Sequence, residues 1–212
     1  MLAIAIGNRR LLMRLMKVPL GGGPPHEVLS GRFNDTPRCA KSPARSCAVA
    51  EETSDHKQLI FTGFDPVAGG RTRELLRFDI DPNVKYHGEF MTGTRVPYSW
   101  DLAPDGCCIA IFKRLQHEIH VVSLRDKSER RIDVKGWTSL STLNWAMDGK
   151  GLFASALQPS VALLHVDTRG NAHVLWQPNG RIPTEAIPSP DGRHLAILAL
   201  SHNDNIWMIE DF

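Results

Sequence analysis

A β-propeller of about four blades is the all-β fold this sequence predicts, and three observations predict it. Short turns centred on aspartate recur at Ser54-Asp55-His56-Lys57, Pro104-Asp105-Gly106-Cys107, Met147-Asp148-Gly149-Lys150 and Pro190-Asp191-Gly192-Arg193. Their aspartates are separated by 50, 43 and 43 residues, and a strand-built repeat of roughly 40–45 residues is the mark of one propeller blade. Each turn leads into an apolar run and then a second apolar strand, so each unit reads as four short antiparallel strands, A to D.

Residues 11–30 read as a C–D hairpin, with strands 15–20 and 26–29 joined through Gly21-Gly22-Gly23. The first full unit, 46–97, places A at 47–51, B at 58–64 and C at 74–80, and its segment 81–96 accounts for the longer spacing. Unit 98–138 gives A at 98–103, B at 108–112, C at 118–124 and D at 130–134. Unit 139–180 repeats this at 141–145, 152–155, 162–167 and 172–176. The last, 181–212, gives A at 184–188, B at 194–200 and C at 206–210. Asp-Gly suits a type I′ hairpin turn, which needs φ > 0 at both central residues. A proline before it has no N–H for the ladder and marks the strand end.

The chain thus starts and stops within a blade. Strand 26–29 is able to complete the last blade of a self-contained ring, but strand 15–20 is then redundant. A truncated six- to eight-bladed propeller accommodates both and is the preferred reading.

Composition narrows the function. Twenty-five Lys and Arg against 23 Asp and Glu leave a net charge of +2, too little to steer a polyanion, and no dense basic stripe marks a nucleic-acid surface. No stretch reaches the ~18 apolar residues of a membrane span, so no membrane insertion by this chain is expected. Arg9, Arg10, Arg14 and Lys17 interrupt the apolar start; a signal peptide carries its charge ahead of an unbroken apolar region, so 1–20 reads as strand.

Candidate chemistry is sparse. Asp55, Asp105, Asp148 and Asp191 recur once per unit, which repeat architecture produces by turn capping alone. Cys39 and Cys47 flank a loop containing Pro43 and are placed to face each other across a hairpin; a bridge there adds about 2.5 kcal/mol by loop-closure entropy and would put the chain outside the cytoplasm. Cys107 and Cys108, neighbours on a strand, are expected on opposite faces. So are His117 and His120, which rules out a shared metal. His165, His173, His194 and His202 are scattered. No Gly-x-Ser-x-Gly elbow occurs, and the Gly21–Gly23 run lacks the Lys-Ser/Thr of a phosphate loop. No catalytic, cofactor or metal residue is therefore assigned. Trp100, Trp145, Trp176 and Trp207 fit packing between blades. Trp137, beside Gly136 between units, is the best candidate anchor at a binding face, although core packing is its favoured assignment.

At Ser189-Pro190-Asp191-Gly192-Arg193-His194-Leu195-Ala196, and more loosely at Ala103-Pro104-Asp105-Gly106 with Ile109-Ala110-Ile111, the chain resembles the TolB-type propeller repeat. Its end, Asn205-Ile206-Trp207-Met208-Ile209-Glu210-Asp211-Phe212, is similar to bacterial propeller modules attached to serine/threonine kinases or winged-helix regulators. The stretch Cys39 to Cys47, with Gln58-Leu59-Ile60-Phe61-Thr62 and Phe64-Asp65-Pro66, resembles the same group. The kinase signatures themselves, a Gly-rich loop, His-Arg-Asp and Asp-Phe-Gly, do not occur. The resemblance implies a non-catalytic recognition or sensor propeller that binds a protein, peptide or small ligand at its mouth. The rival is an enzyme: a lactonase-like propeller, or the accessory propeller of a prolyl-oligopeptidase-like peptidase. Glu74, Asp101, Glu118 and Asp167 are its available acids. Their convergence on one axial cavity would favour the enzyme, and their dispersal to outer strands the binding module.

Overall fold

A computed structural model describes residues 2–6, 13–31, 33, 36–41, 46–55, 57–80, 98–113, 116–177 and 181–201. Among these every regular element is a strand. The expected strand 206–210, Trp207, His202 and the segment 81–97 lie outside the described residues.

The first sheet holds β1 (Leu2–Ile6), β2 (Met13–Val18) and β3 (His26–Gly31), in that order. The second holds β4 (Arg38–Cys39), β5 (Cys47–Glu52), β6 (Gln58–Phe64) and β7 (Arg71–Asp79). The third runs through β8 (Tyr98–Leu102), β9 (Cys108–Lys113), β10 (Glu118–Ser123) and β11 (Glu129–Asp133). The fourth holds β12 (Ser139–Trp145), β13 (Gly151–Gln158), β14 (Ala162–Asp167) and β15 (Ala172–Trp176), and the fifth pairs β16 (Arg181–Pro188) with β17 (Leu195–Ser201). All pairings are antiparallel between successive strands, as short hairpin connections require.

The phase of the second sheet departs from the sequence reading. Strands expected as A, B and C at 47–51, 58–64 and 74–80 occupy its second, third and fourth places, because β4 pairs with β5 ahead of them through Arg38–Ala48 and Cys39–Cys47. The corner that follows β4 confirms the place. Ala40 N–H donates to Ser46 O at 2.7 Å, as Ala103 does to Cys108 (2.9 Å), Ala146 to Gly151 (2.9 Å) and Ser189 to His194 (2.8 Å). The Asp55 turn is therefore a B–C corner, and the A–B corner here carries no Asp-Gly. At the other end of the chain's first sheet, β2 and β3 are the expected hairpin, and β1 adds a strand beside them.

The corners are not type I′ turns. Gly106, Gly149 and Gly192 have φ of 74°, 69° and 70°, while no aspartate among the described residues has positive φ. Their N–H groups close four-residue reverse turns onto the Ala103, Ala146 and Ser189 carbonyls. This is the longer hairpin loop in which a right-handed turn is followed by a left-handed glycine.

Cores lie between sheets. Leu59, Phe61, Trp100, Ile109 and Ile111, all fully buried, join the second sheet to the third, with Phe61 edge-on to Trp100 at 4.9 Å. Phe112, Ile119, Leu143, Leu152 and Leu164 join the third to the fourth. Strands β8, β12 and β16 pack in succession, with β4 beside β8, so the first strands of the second to fifth sheets face a common axis. The arrangement is a β-propeller.

Outer parts of neighbouring sheets are latched by hydrogen bonds to backbone carbonyls. Gly70 N–H donates to Val28 O (2.7 Å), Lys127 Nζ to Leu75 O, and Lys135 N–H to Gly170 O (3.0 Å). Each latch ties the last strand of one sheet to the C–D turn of the next.

Candidate functional site

Two features meet where the A–B corners surround the axis. One is a charge cluster on the axial strands, the other a cleft above it.

The cluster is built by three strands. β8 alternates buried and half-buried residues, so Tyr98, Trp100 and Leu102 pack while Asp101 turns toward the axis. Its Oδ2 accepts the Trp145 N–H of β12 at 2.7 Å, and Oδ1 accepts the Leu102 N–H at 2.9 Å. Arg38 of β4 approaches it, Nε to Oδ1 at 3.9 Å, and also reaches Glu185 Oε1 of β16 at 3.6 Å. Neither approach is short enough for a hydrogen bond, and Arg38 Nε is buried without one. Burial pushes the Asp101 carboxyl up to about 6, against the pull of Arg38 and the two N–H donors. The cluster holds two carboxylates and one guanidinium but no nucleophile beside a base, so its chemistry is charge recognition and sheet-to-sheet clasping.

The cleft, about 570 Å³, lies between the fourth and fifth sheets. Lys41, just after β4, leans across: its N–H donates to Pro104 O at 2.7 Å and its Nζ to Met147 O at 3.2 Å. Its lining is mixed: Met147, Phe153, Pro188 and Leu195 are apolar, and Lys41, Asp148, Asp191, Arg193 and His194 are polar. His165 leans on Phe153, ring centroids 5.4 Å apart. A second cleft of about 460 Å³ separates the second and third sheets, lined by Phe64, Val67, Leu75, Leu102 and Leu124 with Arg73.

The repeated aspartates cap their own turns. Oδ1 of Asp55, Asp105, Asp148 and Asp191 accepts the N–H two residues on, from Lys57, Cys107, Lys150 and Arg193. Hydroxyls of Thr53 and Ser189 first, then these N–H groups, hold the Asp55 and Asp191 carboxyls below the usual range. Three of the four acids considered for catalysis are dispersed. Glu74 on outermost β7 is paired to Arg77 at 2.8 Å. Glu118 on β10 lies 3.2 Å from His120 Nε2 and 3.6 Å from Arg131. Asp167 closes its C–D turn on Arg169 and Asn171, whose side chain above all draws its carboxyl down to about 2. Asp101 alone is axial, and its companions there, Arg38 and Glu185, went unmarked in the sequence.

His117 and His120 have separate partners: Asp133 at 3.2 Å for the first, Glu129 at 2.8 Å and the Phe78 ring for the second. Among the described residues no group of three or more His, Cys, Asp or Glu is arranged to hold a metal ion, and no helix is long and apolar enough to cross a membrane. Trp137 lies half-buried between β11 and β12, packed on the core shared by the third and fourth sheets. Cys39 and Cys47 are directly opposed, Cα–Cα 4.0 Å, with their sulfurs at bonding separation. Cys107 and Cys108 do not point to opposite faces. β9 begins only at Cys108, so Cys107 belongs to the corner, where strand alternation does not apply, and the two sulfurs come together.

No protein-family model and no curated protein sequence matches the chain. Solved structures do. TolB from Acinetobacter baumannii superposes with a TM-score of 0.66 at 17% identity, over 96% of this chain and 48% of that one. A putative TolB from Agrobacterium tumefaciens gives 0.65 at 17% identity, over 90% and 65%. A chain of the Mitotic Checkpoint Complex gives 0.55 at 13% identity, over 92% and 57%. The shared property is the fold, a TolB-like β-propeller, and the chain spans less than two thirds of the length of each of these structures.

Proposed function

We propose that this chain is a non-catalytic recognition propeller that binds a protein or peptide on its corner face, in the cleft spanned by Lys41. One observation carries the reading. The corner aspartates are occupied in capping their own turns, while the cleft between them offers apolar Met147, Phe153 and Leu195 beside Arg193 and His194, the mixed lining that an orienting, non-reacting site needs. Photo-crosslinking from position 194 in the intact chain tests it against position 74 on the outer strand as control. Saturable capture of a partner at 194 alone supports the reading. Turnover of a lactone or peptide substrate by the chain, lost in Asp101→Asn, overturns it in favour of an enzyme.

That enzymatic alternative, a lactonase-like propeller or a peptidase's accessory propeller, has its own support in the meeting of Arg38, Asp101 and Glu185 at the axis. It is the weaker reading because Asp101 spends both carboxylate oxygens on backbone N–H groups.

We further propose that the propeller is part of a larger ring. Leu198 of β17 is 55% exposed, whereas Phe112, its counterpart on β9 two repeats earlier, is buried against the sheet that follows it. The finer placement, as the C-terminal part of a kinase-linked or regulator-linked protein, rests on the resemblance of 205–212, outside the described residues. Reading the genomic DNA upstream of Met1 decides it: an in-frame kinase, regulator or further blades supports it, and an unrelated gene contradicts it.

A further inference from the structure

All four cysteines of the chain flank one contact between two corners. The corner of the third sheet rests on that of the second. Lys41 N–H donates to Pro104 O at 2.7 Å, and a Cβ on Gly106 would meet those of Ala40 and Ser46 at 3.3 and 3.2 Å. Cys39 and Cys47 bound the second sheet's corner, and Cys107 and Cys108 end the third's. The equivalent corners of the fourth and fifth sheets carry Lys150-Gly151 and Arg193-His194 in place of Cys107-Cys108. All three corners share the left-handed glycine and the aspartate that caps the N–H two residues on. The turn itself therefore does not call for thiols. The two environments also differ: Cys107 is exposed, while Cys108 is half-buried against the core between the third and fourth sheets.

We propose that Cys107 and Cys108 form a thiol–disulfide exchange site that reacts with small disulfides and thiols from solution. In the reduced chain the exposed Cys107 thiolate attacks one sulfur of a small disulfide RSSR. It forms Cys107–S–S–R and releases one RS⁻. The Cys108 thiolate then attacks the Cys107 sulfur, closing the Cys107–Cys108 bond and releasing the second RS⁻. Two electrons pass from the protein to RSSR, and the two thiol protons leave on two RSH. Excess RSH runs both steps backward. Neighbouring cysteines within a strand could not do this, because their sulfurs would point to opposite faces. Here β9 begins only at Cys108, and the corner brings the sulfurs together. Exposure sets the order of the steps: the accessible thiol is attacked and attacks first, and the half-buried one resolves.

The test exposes the intact, reduced chain to oxidised glutathione, quenches with N-ethylmaleimide, digests without reduction and weighs the peptides. The peptide holding both cysteines should emerge unlabelled and lighter by the two hydrogens lost, and doubly labelled if dithiothreitol precedes the quench. Cys108→Ser should stall with glutathione attached to Cys107. Cys107→Ser should take up glutathione at Cys108 about tenfold more slowly, because that thiol is half-buried. A retained cooperative melt shows that each variant is folded, and the result on the native chain stands without them. Double labelling of the native chain after oxidation overturns the proposal, as does glutathione left on Cys107 as its end product. A bond from Cys107 to Cys39 or Cys47, or equal rates in the two variants, overturns it as well.

Discussion

Asp101 of β8 accepts the backbone N–H of Trp145 in β12 at 2.7 Å, joining the axial strands of two successive sheets. An axial strand has no neighbour on its inner side, so its inward N–H groups need partners from elsewhere. Here a carboxylate from the preceding sheet supplies one. The same carboxylate stands near Arg38 and Glu185, so charge on this one group is felt by four sheets.

The pH dependence of stability should therefore carry an Asp101 signature. Its carboxyl titrates near 6 in the folded chain, raised above its ordinary value mainly by burial. A raised value means the folded state holds the proton more tightly. The stabilisation is complete below about pH 4 and is lost as pH rises through about 6. Asp101→Asn keeps an acceptor for Trp145 but cannot titrate. Relative to that variant, the native chain should lose up to about 3 kcal/mol between pH 4 and pH 7. Urea unfolding of both proteins at the two pH values measures it; parallel curves would exclude a raised Asp101.

Gly170 should be the least replaceable glycine of the turns. It has φ of 81°, and a Cβ there would fall inside van der Waals contact of the Asp133 carbonyl oxygen, at the latch between the third and fourth sheets. Gly149 has φ of 69° but open space around it. Gly149→Ala should cost about 1 kcal/mol from backbone conformation alone, and Gly170→Ala at least about 3 kcal/mol, because backbone must move as well. Chemical denaturation of the two variants separates these costs. Equal losses would mean the sheets are not latched at this point.

Cys39 and Cys47 should be covalently joined when the chain is made in an oxidising compartment. They are paired in register on β4 and β5, and joining them closes a short loop. The bridge should stabilise by about 2.5 kcal/mol relative to Cys39→Ser, a difference removed by reductant. Peptide mapping without reduction identifies the linkage. Recovery of Cys47 alkylated from such a preparation would refute it.

Most strand positions were legible because apolar runs bounded by turn residues leave few alternatives. The run 58–64 is a strand with those limits, and 162–167 and 172–176 likewise. The phase of the second sheet was not legible, for a physical reason. Thr53 and Asp55 make the same hydroxyl–carboxylate–N–H capping pattern as Ser189 and Asp191, so turn chemistry reports a corner without saying which corner. A signal did exist: Ser42-Pro43 before Cys47-Ala48-Val49-Ala50 matches Ser189-Pro190 before Leu195-Ala196-Ile197-Leu198. The axial cluster was hidden differently. Arg38, Asp101 and Glu185 sit on three separate sheets and meet only through the curvature of the ring, which no local pattern encodes. Trp137 is partly buried against the core between the third and fourth sheets, the packing its sequence context favoured over a binding face.

The central claim is that successive four-stranded sheets share an axis, with β4 as the axial strand of the second. Backbone NOEs in the isotope-labelled chain test this most directly. The account predicts cross-strand NOEs between Arg38 and Ala48 and between the Lys41 amide and Pro104, whose carbonyl that amide reaches. NOEs placing Thr53, rather than Lys41, beside Pro104 would contradict it.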